Sequence, residues 1–130
     1  MSKQIIKPRG VITSKDAEIM DQAFNERYAA MSKCIGKDDN RSSWWSLDDM
    51  RNFLDYAEDQ AKSLGYTMDG VRVYEGAHGE KGYTSMFMAP TGSKGTGGSR
   101  QAAGSGDIPG GDVLNAGSGG NPPSANYPQQ

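Results

Sequence analysis

Residues 46–76, SLDDMRNFLDYAEDQAKSLGYTMDGVRVYEG, contain the change of period that decides the fold. From Leu47 the apolar side chains recur at three- and four-residue steps through Met50, Phe53, Leu54, Ala57, Ala61 and Leu64. That spacing puts them on one stripe of an amphipathic helix. Ser46 precedes Asp49 at the capping-box distance, and Asp48 and Asp49 place negative charge where the helix dipole favours it. Gly65 falls where a left-handed C-terminal cap is wanted, with Tyr66 positioned to fold back onto the last turn. Past the turn pair Asp69-Gly70 the period drops to two, so Val71, Arg72, Val73 and Tyr74 read as a short strand.

Downstream, GAHGEKG (residues 76–82) has three glycines and suits a hairpin loop or an open connection. Residues 83–89 read as a second strand, with Tyr83, Ser85, Phe87 and Ala89 on one face and Thr84, Met86 and Met88 on the other. Pro90 is expected to end it. Upstream, Thr13 and Asp16 repeat the capping spacing. Met20, Ala23, Phe24, Tyr28 and Met31 then mark a first amphipathic helix that stops at Gly36. The polar run KDDNRSS (residues 37–43) reads as a loop. Ile5, Ile6, Val11 and Ile12 flank Pro8, which limits this stretch to an edge strand or an extended lead-in.

The expected fold is therefore α+β: two amphipathic helices followed by a β-hairpin, in a small domain spanning residues 1–90. Two strands alone are marginal in water, so the hairpin must pack on the second helix or gain a partner strand. Any open edge that remains is a natural docking site. Residues 91–130 hold eleven of the eighteen glycines, four of the six prolines and one aromatic residue, Tyr127. So few large apolar side chains cannot offset the entropy of ordering the backbone, and a disordered Gly/Ser/Pro-rich tail is expected. As a tether it would span about 35 Å on a random-coil scale.

Fourteen basic and sixteen acidic side chains give a net charge of -2. The densest basic stretch is Lys3, Lys7 and Arg9, and it reads as a solvated end. Nucleic-acid binding, which needs a concentrated basic face, is not expected. Cys34 is the single cysteine, so no intramolecular disulfide forms. The start, MSKQIIKPRG, lacks the apolar run of a signal peptide, and no window approaches a membrane-spanning length. A cytoplasmic protein without membrane association is expected.

The run WWSLDDMRNFLDYAEDQAKSLGYTMDGVRVYEG followed by GYTSMFMAPTG resembles small uncharacterised bacterial α+β proteins. In these an aromatic-Ser-Leu helix start precedes a Gly-Val-Arg-Val-Tyr strand, and a later strand closes with Pro-Thr. The resemblance covers residues 44–91. It implies the architecture and carries no catalytic residue.

Three residues stand out as candidate contacts with another protein: Trp45, Arg72 and Tyr74. Trp44 and Trp45 are adjacent on an extended segment and point in opposite directions, so one packs as a hydrophobic staple and the other is free to anchor a partner. Arg72 faces away from Val71 and Val73. It either pairs with a helix acid such as Asp55 or Glu58, or offers its planar fork to a carboxylate. His78 lies in the glycine-rich loop with Glu75 and Glu80, and one nitrogen among exposed acids does not make a metal site. Residues 37–40 lack the ligand spacing of a calcium loop. Cys34, at a helix C-terminus beside Lys33, is expected to be an inert, partly buried thiol. The tail glycines form no phosphate loop and no calcium-binding repeat.

No catalytic motif, metal site or cofactor site emerges. The expected function is a non-enzymatic protein-interaction module, its partner another protein, with a flexible tether. The alternative is a small-ligand binder or enzyme in which His78, Glu75 and Arg72 meet across the hairpin.

Overall fold

In the computed structural model, which describes residues 3–94 and 105–129, the Thr13 hydroxyl accepts the Asp16 N–H at 3.1 Å. This cap opens helix α1 (Ser14–Ala23). Helix α2 (Asn25–Ile35) follows after a break at Phe24, so the expected first helix is two helices. The break has a local cause. The Asp21 carbonyl, which a continuous helix would offer to Asn25, receives Arg41 Nη2 at 2.9 Å and the Phe24 N–H at 3.2 Å. Residues 3–12 form the extended lead-in and add no strand.

After α2 the chain forms a two-residue strand, β1 (Ser43–Trp44), and then α3 (Leu47–Ser63). The Ser46 Oγ accepts the Asp49 N–H at 2.9 Å, as the capping spacing requires. Gly65 ends this helix at φ 83°, a left-handed conformation that costs glycine little. That bend delivers the chain straight into β2 (Tyr66–Ala77), which is longer than the four residues expected. Asp69-Gly70 is not a turn; the strand continues through it with a register irregularity between Met68 and Gly70.

β3 (Thr84–Lys94) pairs antiparallel with β2 from Tyr66↔Lys94 to Ala77↔Thr84, so the hairpin is present. Pro90 does not end it. Its carbonyl accepts the Ile108 N–H at 3.0 Å on the side away from β2. The N–H that proline lacks would point the same way, and there the facing chain leaves the ladder at Pro109.

Residues 105–129 lie against the body, which corrects the expectation of a disordered tail for these positions; residues 95–104 and 130 fall outside the described residues. Gly92 N–H donates to Gly106 O at 3.1 Å and Ile108 N–H to Pro90 O, so the chain runs along the outer edge of β3. It loops out at Ile108-Pro109-Gly110-Gly111, closed by Gly111 N–H to Ile108 O at 3.1 Å. Proline followed by a glycine at φ 78° is what a type II turn requires. It then rejoins β3 as β4 (Leu114–Asn115), and β5 (Ser118–Gly119) pairs antiparallel with β1. The fold is thus mixed helix and sheet, with one sheet in the order β2-β3-β4 and a second of β1 and β5.

The core is small and two-sided. Phe53 and Ala57 of α3 meet Met88 of β3, with Trp45, Met68 and Leu114 packed against them. On the opposite face of β3, Ala89 and Thr91 are buried, and Ile108, at 5 % exposure, is the apolar residue that the tail buries. Composition averaged over forty residues missed this because the useful apolar side chains, Ile108 and Leu114, are concentrated in one short stretch that also pairs an otherwise open strand edge. Among the described residues, no helix is long and apolar enough to cross a membrane.

Candidate functional site

Arg72 and Tyr74 lie two residues apart on β2 and share the face opposite Val71 and Val73. Across the ladder their partners are Ala89 and Phe87, and the Tyr74 and Phe87 rings stack at 5.4 Å. Residues 105–111 fold onto this face. Arg72 Nη1 donates to the Ser105 carbonyl at 3.0 Å and to Asp107 Oδ1 at 3.2 Å, and the Tyr74 hydroxyl donates to Asp107 Oδ2. The guanidinium therefore meets a carboxylate, and this one comes from the tail. Nearby, Asp69 accepts the Thr91 hydroxyl at 2.8 Å and the Ser105 hydroxyl. The hydrogen bond to Asp107 raises the Tyr74 pKa, with desolvation and the carboxylate charge adding to it and Arg72 opposing. Tyr74 is thus a protonated donor at neutral pH. A cleft of about 290 Å³ between Tyr74, Phe87, Pro90, Ile108 and Val113 remains beside the contact.

Trp45 is not part of this group. It packs on the α3 side against the Phe53 cluster, and its Nε1–H donates to the Asn115 carbonyl at 3.0 Å. Trp44, on β1, is the exposed member of the pair at 60 %. Asp112 ties the tail to α3 by accepting the Tyr56 hydroxyl at 2.6 Å and Gln60 Nε2 at 3.0 Å.

His78, Glu75 and Arg72 do not converge. His78 is exposed in the β2–β3 connection, and Glu75 and Arg72 occupy opposite faces of β2 by strand alternation. Cys34 is exposed. Among the described residues, no group of three or more His, Cys, Asp or Glu is placed to hold a metal ion.

Two residues of the polar loop, Asp39 and Arg41, tie the helices to the sheet. Asp39, 2 % exposed, accepts the Thr84 N–H and the Thr84 hydroxyl, each at 2.7 Å, while its carbonyl takes the Tyr28 hydroxyl at 2.8 Å. Arg41 sits between the Phe24 and Tyr28 rings and pairs with Asp21 at 3.2 Å. Charged residues in a polar heptapeptide gave no signal of burial; only their partners, eleven to forty-five positions away, create it.

The open surface lies elsewhere. In the β2-β3-β4 sheet, β2 is outermost, and among the described residues no strand pairs with its outer edge. Tyr56 and Gln60 point α3 towards Asp112 on the β4 side, so Leu54, on the other flank of the helix, faces the β2 side. There Leu54 is 42 % exposed and Val73 49 %, with Val71 similarly uncovered. These residues extend the core into solvent along the part of β2 from Val71 to Glu75, where among the described residues no strand lies on the outer side. Compared with protein-family models, curated proteins and solved structures, the chain matches none.

Proposed function

We propose that this chain is a non-enzymatic protein-interaction module that docks its partner along the outer edge of β2. The observation that carries the reading is the exposure of Val71 and Val73, on the α3 side of a strand whose outer edge meets no other strand among the described residues. A strand added there gains main-chain hydrogen bonds for affinity and packs alternate side chains for specificity. The other edge of β3 already holds the tail, through the Thr91↔Asp107 bridge and β4, so among the described residues the long edge available for strand addition is that of β2. In this reading Arg72, Tyr74 and Trp45 serve docking indirectly, by holding the tail on β3. The resemblance of residues 44–91 to small bacterial proteins supplies the architecture and no catalytic group. An exposed, unpaired Cys34 accords with the reducing cytoplasm.

The test is capture from source-cell lysate on the immobilised full chain, compared with Val71→Lys/Val73→Lys. Proteins retained by the native chain and lost on the variant, with unchanged circular dichroism, support the reading. Equal retention on both places the contact elsewhere.

A further inference from the structure

We infer that the occupant of the β2 edge is the N-terminal arm, residues 3–12, of a second copy of this chain. The inference rests on the docking reading just given and names its partner.

The arm has what the edge lacks. Ile5 is 87 % exposed and Ile6 72 %, and Val11 and Ile12 are also uncovered by their own copy. Among the described residues, none of residues 3–12 hydrogen-bonds or ion-pairs with the rest of its chain. Single exposed aliphatics are ordinary, but two adjacent pairs on one short arm, Ile5-Ile6 and Val11-Ile12, are the kind of exposed apolar surface that marks an interaction site. β-Branched residues at these positions also favour the extended conformation that a strand addition needs.

Charge selects the pairing. Residues 3–12 contain Lys3, Lys7 and Arg9 and no acid, whereas α3 beside the edge carries five acidic and two basic residues. On β2, Glu75 follows Val73 on the same face. A parallel register that seats Ile5 beside Val73 brings Lys7 to Glu75 and Lys3 to Val71, so one apolar and one charged pair match in the alignment. Pro8, which has no N–H to donate, ends the pairing. Reciprocal exchange of arms between two copies then closes the assembly as a two-fold dimer.

Light scattering on the full chain, followed to about 100 µM, reads the mass directly; twice the 13.9 kDa of one chain is expected. Ile5→Asp/Ile6→Asp and Val73→Lys should each weaken dimerisation at least about tenfold, and the first alters only the exposed arm, so its fold is not at issue. Lys7→Glu and Glu75→Lys should each weaken it, and the double reversal should restore affinity to within about threefold. A monomer at every concentration, or a dimer indifferent to Ile5→Asp/Ile6→Asp, overturns the second-copy inference. If Val73→Lys still abolishes partner capture in that case, the docking reading stands and only its partner is wrong. A dimer that also ignores Val73→Lys, in a chain whose β2 edge captures nothing, removes both.

Discussion

The Tyr74 hydroxyl donates to Asp107, thirty-three positions further along the chain, and Arg72 reaches the other oxygen of the same carboxylate. One acid from the tail thus satisfies two neighbouring polar side chains on a strand face. Asp107→Ala should lower the Tyr74 pKa from its raised value towards the usual tyrosine range, because the hydrogen bond is the largest cause of the rise. Ultraviolet titration of the variant, with Tyr74→Phe identifying this ring among the six tyrosines, checks it. An unchanged titration would mean that the contact does not form in solution.

Ile108 decides whether the tail belongs to the fold. At 5 % exposure, its truncation to alanine should cost about 2–4 kcal/mol of unfolding free energy. The measurement is the shift of the urea midpoint. A solvated tail would leave the midpoint in place.

The Asp112 link should confine tail stability to a window of pH. Its carboxyl is held below the usual range mainly by the Tyr56 hydrogen bond and then by that of Gln60, against opposing desolvation. A lowered folded value means stability present above the unfolded value of 3.8 and lost as pH falls through the folded one. Tyr56 is raised, first by the hydrogen bond to Asp112 and then by its charge and by desolvation. Its contribution is present below the unfolded value of 10.0 and lost as pH rises through the folded one. The stability difference between the native chain and Asp112→Ala should therefore shrink at both ends. Denaturation across pH tests this, and a constant difference would contradict it.

Asp39→Ala should be among the more damaging single changes, at about 3 kcal/mol, because it removes the partner of both half-buried Thr84 donors and with it the β3 half of the clamp between α2 and β3. Thr84→Val, which removes only the hydroxyl, should cost about 1 kcal/mol. Urea unfolding of both variants gives the comparison; equal costs would mean that the backbone contact to Thr84 contributes little.

Helix α3 was legible because its evidence is local. Ser46 meets the N–H three residues on, and Gly65 needs no distant partner to adopt its positive φ. The first helix looked continuous for the same reason: nothing near Phe24 announces that Arg41 will take the Asp21 carbonyl. Arg72 does not meet the helix acid, Asp55 or Glu58, that its sequence position offers first; it donates to Ser105 and Asp107, in a segment whose composition argues against order.

By itself, then, the sequence determined α3, its caps, the hairpin that follows and the alternation that sends Arg72 and Tyr74 to one face of β2. Those features depend on periodicity, propensity and turn chemistry over a few residues. Only the tertiary structure decided that residues 105–119 supply strands to both sheets, that Trp45 is half-buried on the core while Trp44 is exposed, and that β2 is the long outer strand with no neighbour on one side among the described residues. Strand addition couples positions far apart in the chain, and an isolated stretch such as Asp107-Ile108-Pro109 orders only where an unpaired edge and an apolar face already wait for it.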